Sequence, residues 1–152
     1  MKALVIIPAY NEEGAIVETI NNLKKSCENV DYVIINDCSK DRTLEICRKN
    51  KFNVINLPVN LGIGGAVQTG YKYAYENGYD VAIQMDADGQ HNPKYIPQLI
   101  TKIEEGNDFV IGSRFLEKEG FQSTFIRRMG INLYSWIIKV FTKKEIKDTT
   151  SG

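Results

Sequence analysis

Two aspartates one residue apart, Asp86 and Asp88, directly follow the apolar run Val81-Ala82-Ile83-Gln84-Met85. Two carboxylates at that spacing are hard oxygen donors that can hold a divalent cation against a phosphate. The run before them reads as a buried strand, about Val81–Met85. Both carboxylates then sit at the strand's C-terminal end, and open α/β sheets bind their ligands outside those ends. Gln90 and His91 follow in the same segment. His91 is expected to be a local structural residue.

Three more polar segments follow apolar runs: Pro8-Ala9-Tyr10-Asn11-Glu12-Glu13, Asn36-Asp37-Cys38-Ser39-Lys40-Asp41, and Asn60-Leu61-Gly62-Ile63-Gly64-Gly65-Ala66. Each has a local reading. Glu12 and Glu13 suit a helix N-terminus, and Asp37 and Asp41 suit turn capping. Gly62, Gly64 and Gly65 let a helix start pack closely, or turn its free N–H groups toward phosphate. Taken together, acidic residues at several neighbouring strand ends make a poor core and a good ligand rim. Several alternatives fail. No Gly-Lys-Ser/Thr follows the glycines, so this is not a P-loop, and Val67 stands where a dinucleotide fingerprint needs its third glycine. An EF-hand loop begun at Asp86 would place His91 sixth and Pro97 twelfth, against the pattern. A haloacid-dehalogenase-type phosphatase needs an aspartate on the first strand, which carries none.

The elements that must position these residues alternate. Strands are expected near Ala3–Ile7, Tyr32–Ile35, Asn53–Leu57, Val81–Met85 and Phe109–Ile111. Between them lie helical patterns: Ile16, Ile20 and Leu23 on one face; a short helix with Leu44 and Cys47, capped from the Ser39/Asp41 region; Gly64 to Glu76, stopped by Gly78; and a helix with Asn92 as N-cap, Pro93 first, Ile96, Leu99, Ile100 and Ile103 on one face, and Gly106 as stop. This alternation argues for an α/β chain of βαβ units with a mainly parallel sheet.

At 152 residues the chain suits one domain. With 43% hydrophobic and 25% charged residues it has the make-up of a soluble globular protein. Cys27, Cys38 and Cys47 show no CxxC spacing and share one His, so they read as reduced cytosolic thiols. No stretch reaches the roughly 18 apolar residues of a membrane span. The net charge is zero but divided: residues 1–113 hold 11 basic and 15 acidic side chains, residues 114–152 hold 8 and 4. The basic C-terminal part, with Phe125, Met129, Leu133, Ile137 and Val140 at helical spacing, either packs on its own sheet or meets an anionic surface such as lipid head groups. No nucleic-acid partner is expected.

In order and spacing, the four motifs resemble those of family-two glycosyltransferases of the GT-A fold, in particular dolichyl- and polyprenyl-phosphate sugar synthases. The resemblance runs from Ile7 to Gly152. It implies a Rossmann-like, mainly parallel sheet flanked by helices on both faces, and a metal-dependent inverting transfer of a hexose from a UDP- or GDP-linked sugar to a polyprenyl phosphate or similar acceptor in glycan or cell-envelope synthesis; the alternatives are a fragment that binds nucleotide sugar without turnover, and transfer to a sugar hydroxyl. By this resemblance Pro8, Tyr10 and Glu12 flank the base or ribose and Asp37 hydrogen-bonds the base, Cys38 standing where glycine is usual. Asp86 and Asp88, with Gln90, hold Mg²⁺ or Mn²⁺, and Asp86 also belongs to the nucleotide site. Gly112-Ser113-Arg114 resembles the family's GSR, so Arg114 serves the acceptor phosphate, with Arg127 and Arg128 as a further basic pair. The final Asp148-Thr149-Thr150-Ser151-Gly152 resembles the start of a longer family motif. The expectation is therefore a single catalytic domain over 1–152 lacking its C-terminal portion, cytoplasmic, with peripheral contact to a membrane surface.

Overall fold

The computed structural model describes residues 1–112. Arg114, Arg127, Arg128, Asp148 and the helical pattern beyond Phe125 lie outside the described residues. The chain divides into two units, Met1–Glu105 and Gly106–Gly152.

The first unit is built on β1 (Ala3–Ala9), whose β-branched and aliphatic residues are buried along its whole length. A strand covered on both faces belongs in the middle of a parallel sheet. β2 (Asp31–Asn36), β3 (Val54–Asn56) and β4 (Val81–Gln84) complete a four-stranded sheet of order β3-β2-β1-β4. All three pairings are parallel, with Ile6 opposite Val33 on one side of β1 and Gln84 on the other.

Alternation along β1 assigns the two faces. Val5, Ile7 and Ala9 point to the face that packs Ile16, Ile20 and Leu23 of α1 (Ile16–Ser26), Cys47 of α2 (Thr43–Lys49) and Ile96 of α4 (Ile96–Glu104). Leu4 and Ile6 point to the opposite face, against Ala66 and Ala74 of α3 (Gly62–Glu76). The expected α/β sheet with helices on both faces is what forms. α3 lies very close to β1 at Gly70, where any Cβ would overlap the Ile6 side chain. That glycine carries no motif signal in the sequence.

The chain winds outward from β1 to β3 and returns on β1's other side as β4. The gap between β1 and β4 is thus the sheet's switch point, where open α/β sheets form their ligand crevice. Pro8 is tolerated inside β1 for a local reason. The last hydrogen bond across this seam runs from the Met85 N–H to the Ile6 O, so beyond it Pro8 has no ladder partner to lose.

Helix boundaries follow local chemistry. The Asn92 side chain accepts the Lys94 N–H at 3.1 Å, but the turn it starts, Pro93–Tyr95, is a 3-10 turn leading into α4. Gly78 and Gly106 end their helices with φ of 66° and 95°, in the left-handed region that glycine tolerates. Ser39 does not cap α2. Asp41 does, accepting the Thr43 N–H at 2.9 Å.

The expected strand at Phe109–Ile111 is not formed in the second unit. Residues 109–112 have no assigned strand or helix, and Phe109 and Ile111 are exposed. A three-residue apolar run becomes a strand only if a neighbour supplies its hydrogen bonds. Among the described residues no helix is long and apolar enough to cross a membrane.

Candidate active site

Three of the motif segments leave the C-terminal ends of β1, β2 and β4, and the glycine-rich one follows β3 into α3. The first two are fastened together. Asn11, at a left-handed φ of 59°, gives its N–H to Ser39 Oγ at 3.0 Å and accepts the Lys40 N–H on its own Oδ1 at 2.8 Å. Ser39 Oγ in turn donates to Asn36 Oδ1 at 2.6 Å, and Asn36 Nδ2 donates to Asn56 Oδ1 at 2.6 Å. One chain of side chains thus runs from the loop after β1 across β2 to β3. A second clasp lies beside it. The Glu12 N–H donates to Thr43 Oγ1 at 2.8 Å, the Thr43 hydroxyl donates to Asp41 Oδ1 at 2.6 Å, and the Glu13 N–H donates to Asp41 Oδ2 at 3.0 Å. Burial works against the Asp41 charge, but the Thr43 hydroxyl, the Thr43 N–H and the Glu13 N–H hold its carboxyl below the ordinary value. Glu13 also accepts from the Arg42 N–H and Nε. Asp41 and Glu13 are therefore fasteners, with both oxygens of Asp41 and Oε2 of Glu13 engaged.

Cys38 occupies its turn with φ 56°. It adopts the left-handed conformation a glycine would take there, at a steric cost of about 1–2 kcal/mol. Its Sγ lies 3.8 Å from the Pro58 O. Asp37, next to it, is buried. Its Oδ1 accepts the Leu61 N–H at 2.7 Å, and its backbone O accepts Asn60 Nδ2 at 3.1 Å, which pins the start of α3 to the end of β2. Among the motif glycines, Gly62 takes a φ of 73°, Gly64 faces open space and Gly65 lies against Leu61.

The loop after β4 is shaped from within and from α1. Thr19 Oγ1 donates to the Ala87 O at 2.9 Å, holding the residue between the two aspartates against the helix. Asp88 Oδ1 accepts the Gln90 N–H at 2.9 Å, and Gly89 turns the chain with φ 78°. His91 Nδ1 accepts the Asp86 N–H at 3.1 Å, so the proton of a neutral ring is on Nε2, 3.7 Å from Asp86 Oδ2. His91 is a structural support of this loop, as the sequence suggests.

Strand order brings the loops after β1 and β4 together. Burial pushes the Glu12 carboxyl above its ordinary value, and the negative charges of Asp88, Asp41 and Asp86 push it further. Among the described residues no group of three or more His, Cys, Asp or Glu side chains forms a ready-made metal cage. Asp86 and Asp88 fit a hard cation shared with a phosphate-bearing ligand, which supplies the remaining oxygens. Tyr10, 41% exposed, is open to a flat partner, while Pro8 lies in β1. Sequence reasoning missed Thr19, Asn36, Asn11 and Thr43 as supports. The available signal was weak: Asn36 is a polar residue ending an apolar strand, Thr19 and Thr43 are buried in helices, and a buried polar group requires a partner.

A parallel sheet with acidic loops gathered at its switch point defines an open α/β domain. The chain belongs to glycosyl transferase family 2, whose match covers residues 4–151, and its fold is GT-A. It is 36% identical over 168 residues to a UDP-N-acetylglucosamine–dolichyl-phosphate N-acetylglucosaminyltransferase of Methanococcus voltae, covering 97% of this chain and 66% of that protein. Among solved structures, TarS of S. aureus in complex with UDP-GlcNAc superposes with a TM-score of 0.57 at 33% identity, over 69% of this chain and 32% of that one. The mannosyltransferase PcManGT of Pyrobaculum calidifontis, in complex with GDP-Man and Mn²⁺, shares the fold with a TM-score of 0.57 at 19% identity, over 65% of this chain and 31% of that one. The chain spans about half to two thirds of the length of the curated relatives it matches.

Proposed function

We propose that this chain is the donor-binding part of an inverting glycosyltransferase that moves a hexose from a nucleotide sugar to a polyprenyl phosphate in glycan or cell-envelope synthesis. The observation that carries the reading is the convergence of Glu12, Asp86 and Asp88 at the β1/β4 switch point, close enough for the charges of Asp88 and Asp86 to act on Glu12. Carboxylates gathered at the mouth of a switch point suit a cation and a diphosphate. The relatives' names support the substrate class: a dolichyl-phosphate acceptor for one, and UDP- and GDP-linked sugars for the solved neighbours.

In this reading Pro8 and Tyr10 flank the base, Glu12 meets the ribose and Asp37 accepts a hydrogen bond from the base. Asp86 and Asp88, with Gln90, hold Mg²⁺ or Mn²⁺. When bound, the cation stabilises negative charge on the departing diphosphate. Thr19 and His91 hold the Asp86–Asp88 loop in shape. Arg114 suits the acceptor phosphate, because a guanidinium binds phosphate through two parallel hydrogen bonds; Arg127 and Arg128 are further basic groups for it. A phosphate monoester is already ionised at neutral pH, so its oxygen attacks the anomeric carbon without a strong protein base. The reaction belongs on the cytoplasmic surface of a membrane, where a lipid phosphate presents its head group.

The test has two arms. Calorimetry with UDP- and GDP-sugars in Mn²⁺ reads donor binding, with metal-dependent binding of at least one donor expected. Transfer to a short-chain polyprenyl phosphate reads turnover. Absence of donor binding overturns the reading. Binding without transfer confines this chain to donor recognition, and transfer to a sugar hydroxyl replaces the acceptor assignment.

A further inference from the structure

Thr19 lies on α1 and is only 5% exposed. A helical threonine has a local acceptor for its hydroxyl, the C=O four residues back. Here the Ala15 O takes the Thr19 N–H at 3.0 Å, while the hydroxyl reaches across 68 positions of sequence to the Ala87 O at 2.9 Å. Ala87 stands between the two motif aspartates and is buried in the same cluster as Ile83 and Met85. Alternate residues thus keep facing α1 although the strand ends at Gln84, with Asp86 half-buried and Asp88 exposed between and beyond them. Thr19 Oγ1 also lies near Gly89, where a Cβ would stand 3.7 Å from it, so it flanks Asp88 on both sides. The other hydrogen bonds of residues 86–91 are internal: the Asp86 N–H to His91 Nδ1, and the Gln90 N–H to Asp88 Oδ1. They shape the loop without tying it to the rest of the fold. Among the described residues, the Thr19 hydroxyl makes the one hydrogen bond that ties this segment to another element. The same turn of α1 is tied to Glu12, whose O accepts the Ala15 and Ile16 N–H groups at 3.1 and 3.0 Å. A line of bonds from Glu12 through Ala15 and Thr19 to Ala87 therefore joins the loop after β1 to the loop after β4.

Resting on the nucleotide-sugar reading above, we infer that Thr19 is a positioning residue for the cation: through Ala87 it sets Asp86 and Asp88 in place relative to Glu12 before metal and diphosphate arrive. A carboxylate already held where the ligand needs it loses less freedom on binding, so preorganisation shows as affinity. Thr19→Val keeps the shape of the side chain and removes its hydroxyl. The buried Ala87 O then loses its partner, and the loop shifts to find another. The loss falls on the cation, because the loop that shifts is the one carrying Asp86 and Asp88. Asn11 and Asp37 are held by bonds in which Thr19 has no part.

The experiment is calorimetry of UDP and GDP, each in Mn²⁺ and in a chelator. For the nucleotide that binds, the ratio of the two affinities is the Mn²⁺ enhancement. In Thr19→Val the enhancement is expected to fall about tenfold, while the metal-free affinity changes by less than about twofold. Thr19→Ser keeps the hydroxyl and should restore most of the enhancement. Ile20→Val, at the next position of α1 and fully buried, is the control for lost stability alone and should leave the enhancement unchanged. If Thr19→Val does not fold, Thr19→Cys, whose S–H is a weak donor, should show a fall in the same direction. An enhancement that is unchanged in the Thr19 variant, lost equally in Ile20→Val, or not restored by Thr19→Ser overturns the positioning role and leaves the cation site standing. Absence of any Mn²⁺ enhancement in the unaltered protein overturns the cation site and the positioning role with it.

Discussion

The N–H of Glu12 donates to the hydroxyl of Thr43 at 2.8 Å, across 31 positions of sequence. This bond sets where the loop after β1 leaves the sheet, and so where the Glu12 carboxylate stands relative to Asp86 and Asp88. Thr43 is fully buried and its hydroxyl is also spent on Asp41. Thr43→Val keeps the shape and removes both bonds. It should cost about 1–3 kcal/mol of stability, because the Glu12 N–H loses its partner, and it should also weaken nucleotide binding. Urea denaturation checks the first outcome and calorimetry the second. Unchanged values in both would mean that the clasp is incidental.

Asp88 tests the cation reading. Asp88→Asn keeps an oxygen to accept the Gln90 N–H while removing the charge. The expected outcome is loss of the gain in nucleotide affinity that Mn²⁺ gives over a chelator, with weak metal-free binding retained. A Mn²⁺ enhancement equal to that of the unaltered protein refutes Asp88 as a ligand.

Glu12 carries a cost in the absence of ligand. Burial and then the charges of Asp88, Asp41 and Asp86 oppose its ionisation. Glu12→Gln should therefore raise the thermal midpoint of the metal-free protein at neutral pH while lowering donor affinity. A fall in the midpoint would show that the carboxylate is stabilising where it stands.

Cys38 holds a left-handed backbone that glycine adopts freely. Relief of about 1–2 kcal/mol of steric strain is partly offset by the looser unfolded chain, so Cys38→Gly should be neutral or stabilising by up to about 1 kcal/mol. Cys38→Val, branched at Cβ, should be destabilising. Chemical denaturation of both variants gives the order, and a valine variant as stable as the glycine one would argue that the turn relaxes.

Tyr79 gives the fold a pH signature at the far end of the sheet. Burial, and then its hydrogen bond to Asp31 Oδ2 at 2.9 Å, push its hydroxyl up from 10.0 to about 12. Because the folded value is the higher one, the contribution to stability is complete below pH 10 and disappears as pH rises through about 12. Tyr79→Phe should remove that part of the alkaline loss. Absorbance at alkaline pH should likewise show a late tyrosine step in the unaltered protein that the variant loses.

Much of the fold was legible because local chemistry wrote it. Apolar runs marked β1, β2 and β4, Gly78 and Gly106 marked helix ends, and Asn92 marked a helix start, each through interactions within a few residues. Phe109–Ile111 misled for the complementary reason: an apolar triplet is locally a strand, but the hydrogen bonds that make one must come from elsewhere in the chain. The Ser39/Asp41 region does cap its helix, through Asp41, while the Ser39 hydroxyl serves Asn36 and Asn11.

By itself, then, the sequence determined the alternation of strands and helices, the order of the four motifs and the oxygen-rich chemistry of Asp86 and Asp88. Only the tertiary structure decided which loops meet. The order β3-β2-β1-β4 sets the end of β4 beside the end of β1, so that Asp86 and Asp88 act on Glu12 although more than 70 positions separate them. Strand order follows from how helices cover the two faces of the sheet, a property of packing that no local window of residues contains. The bond from the Leu61 N–H to Asp37 Oδ1 is of the same kind, because it forms only where the start of α3 approaches the end of β2.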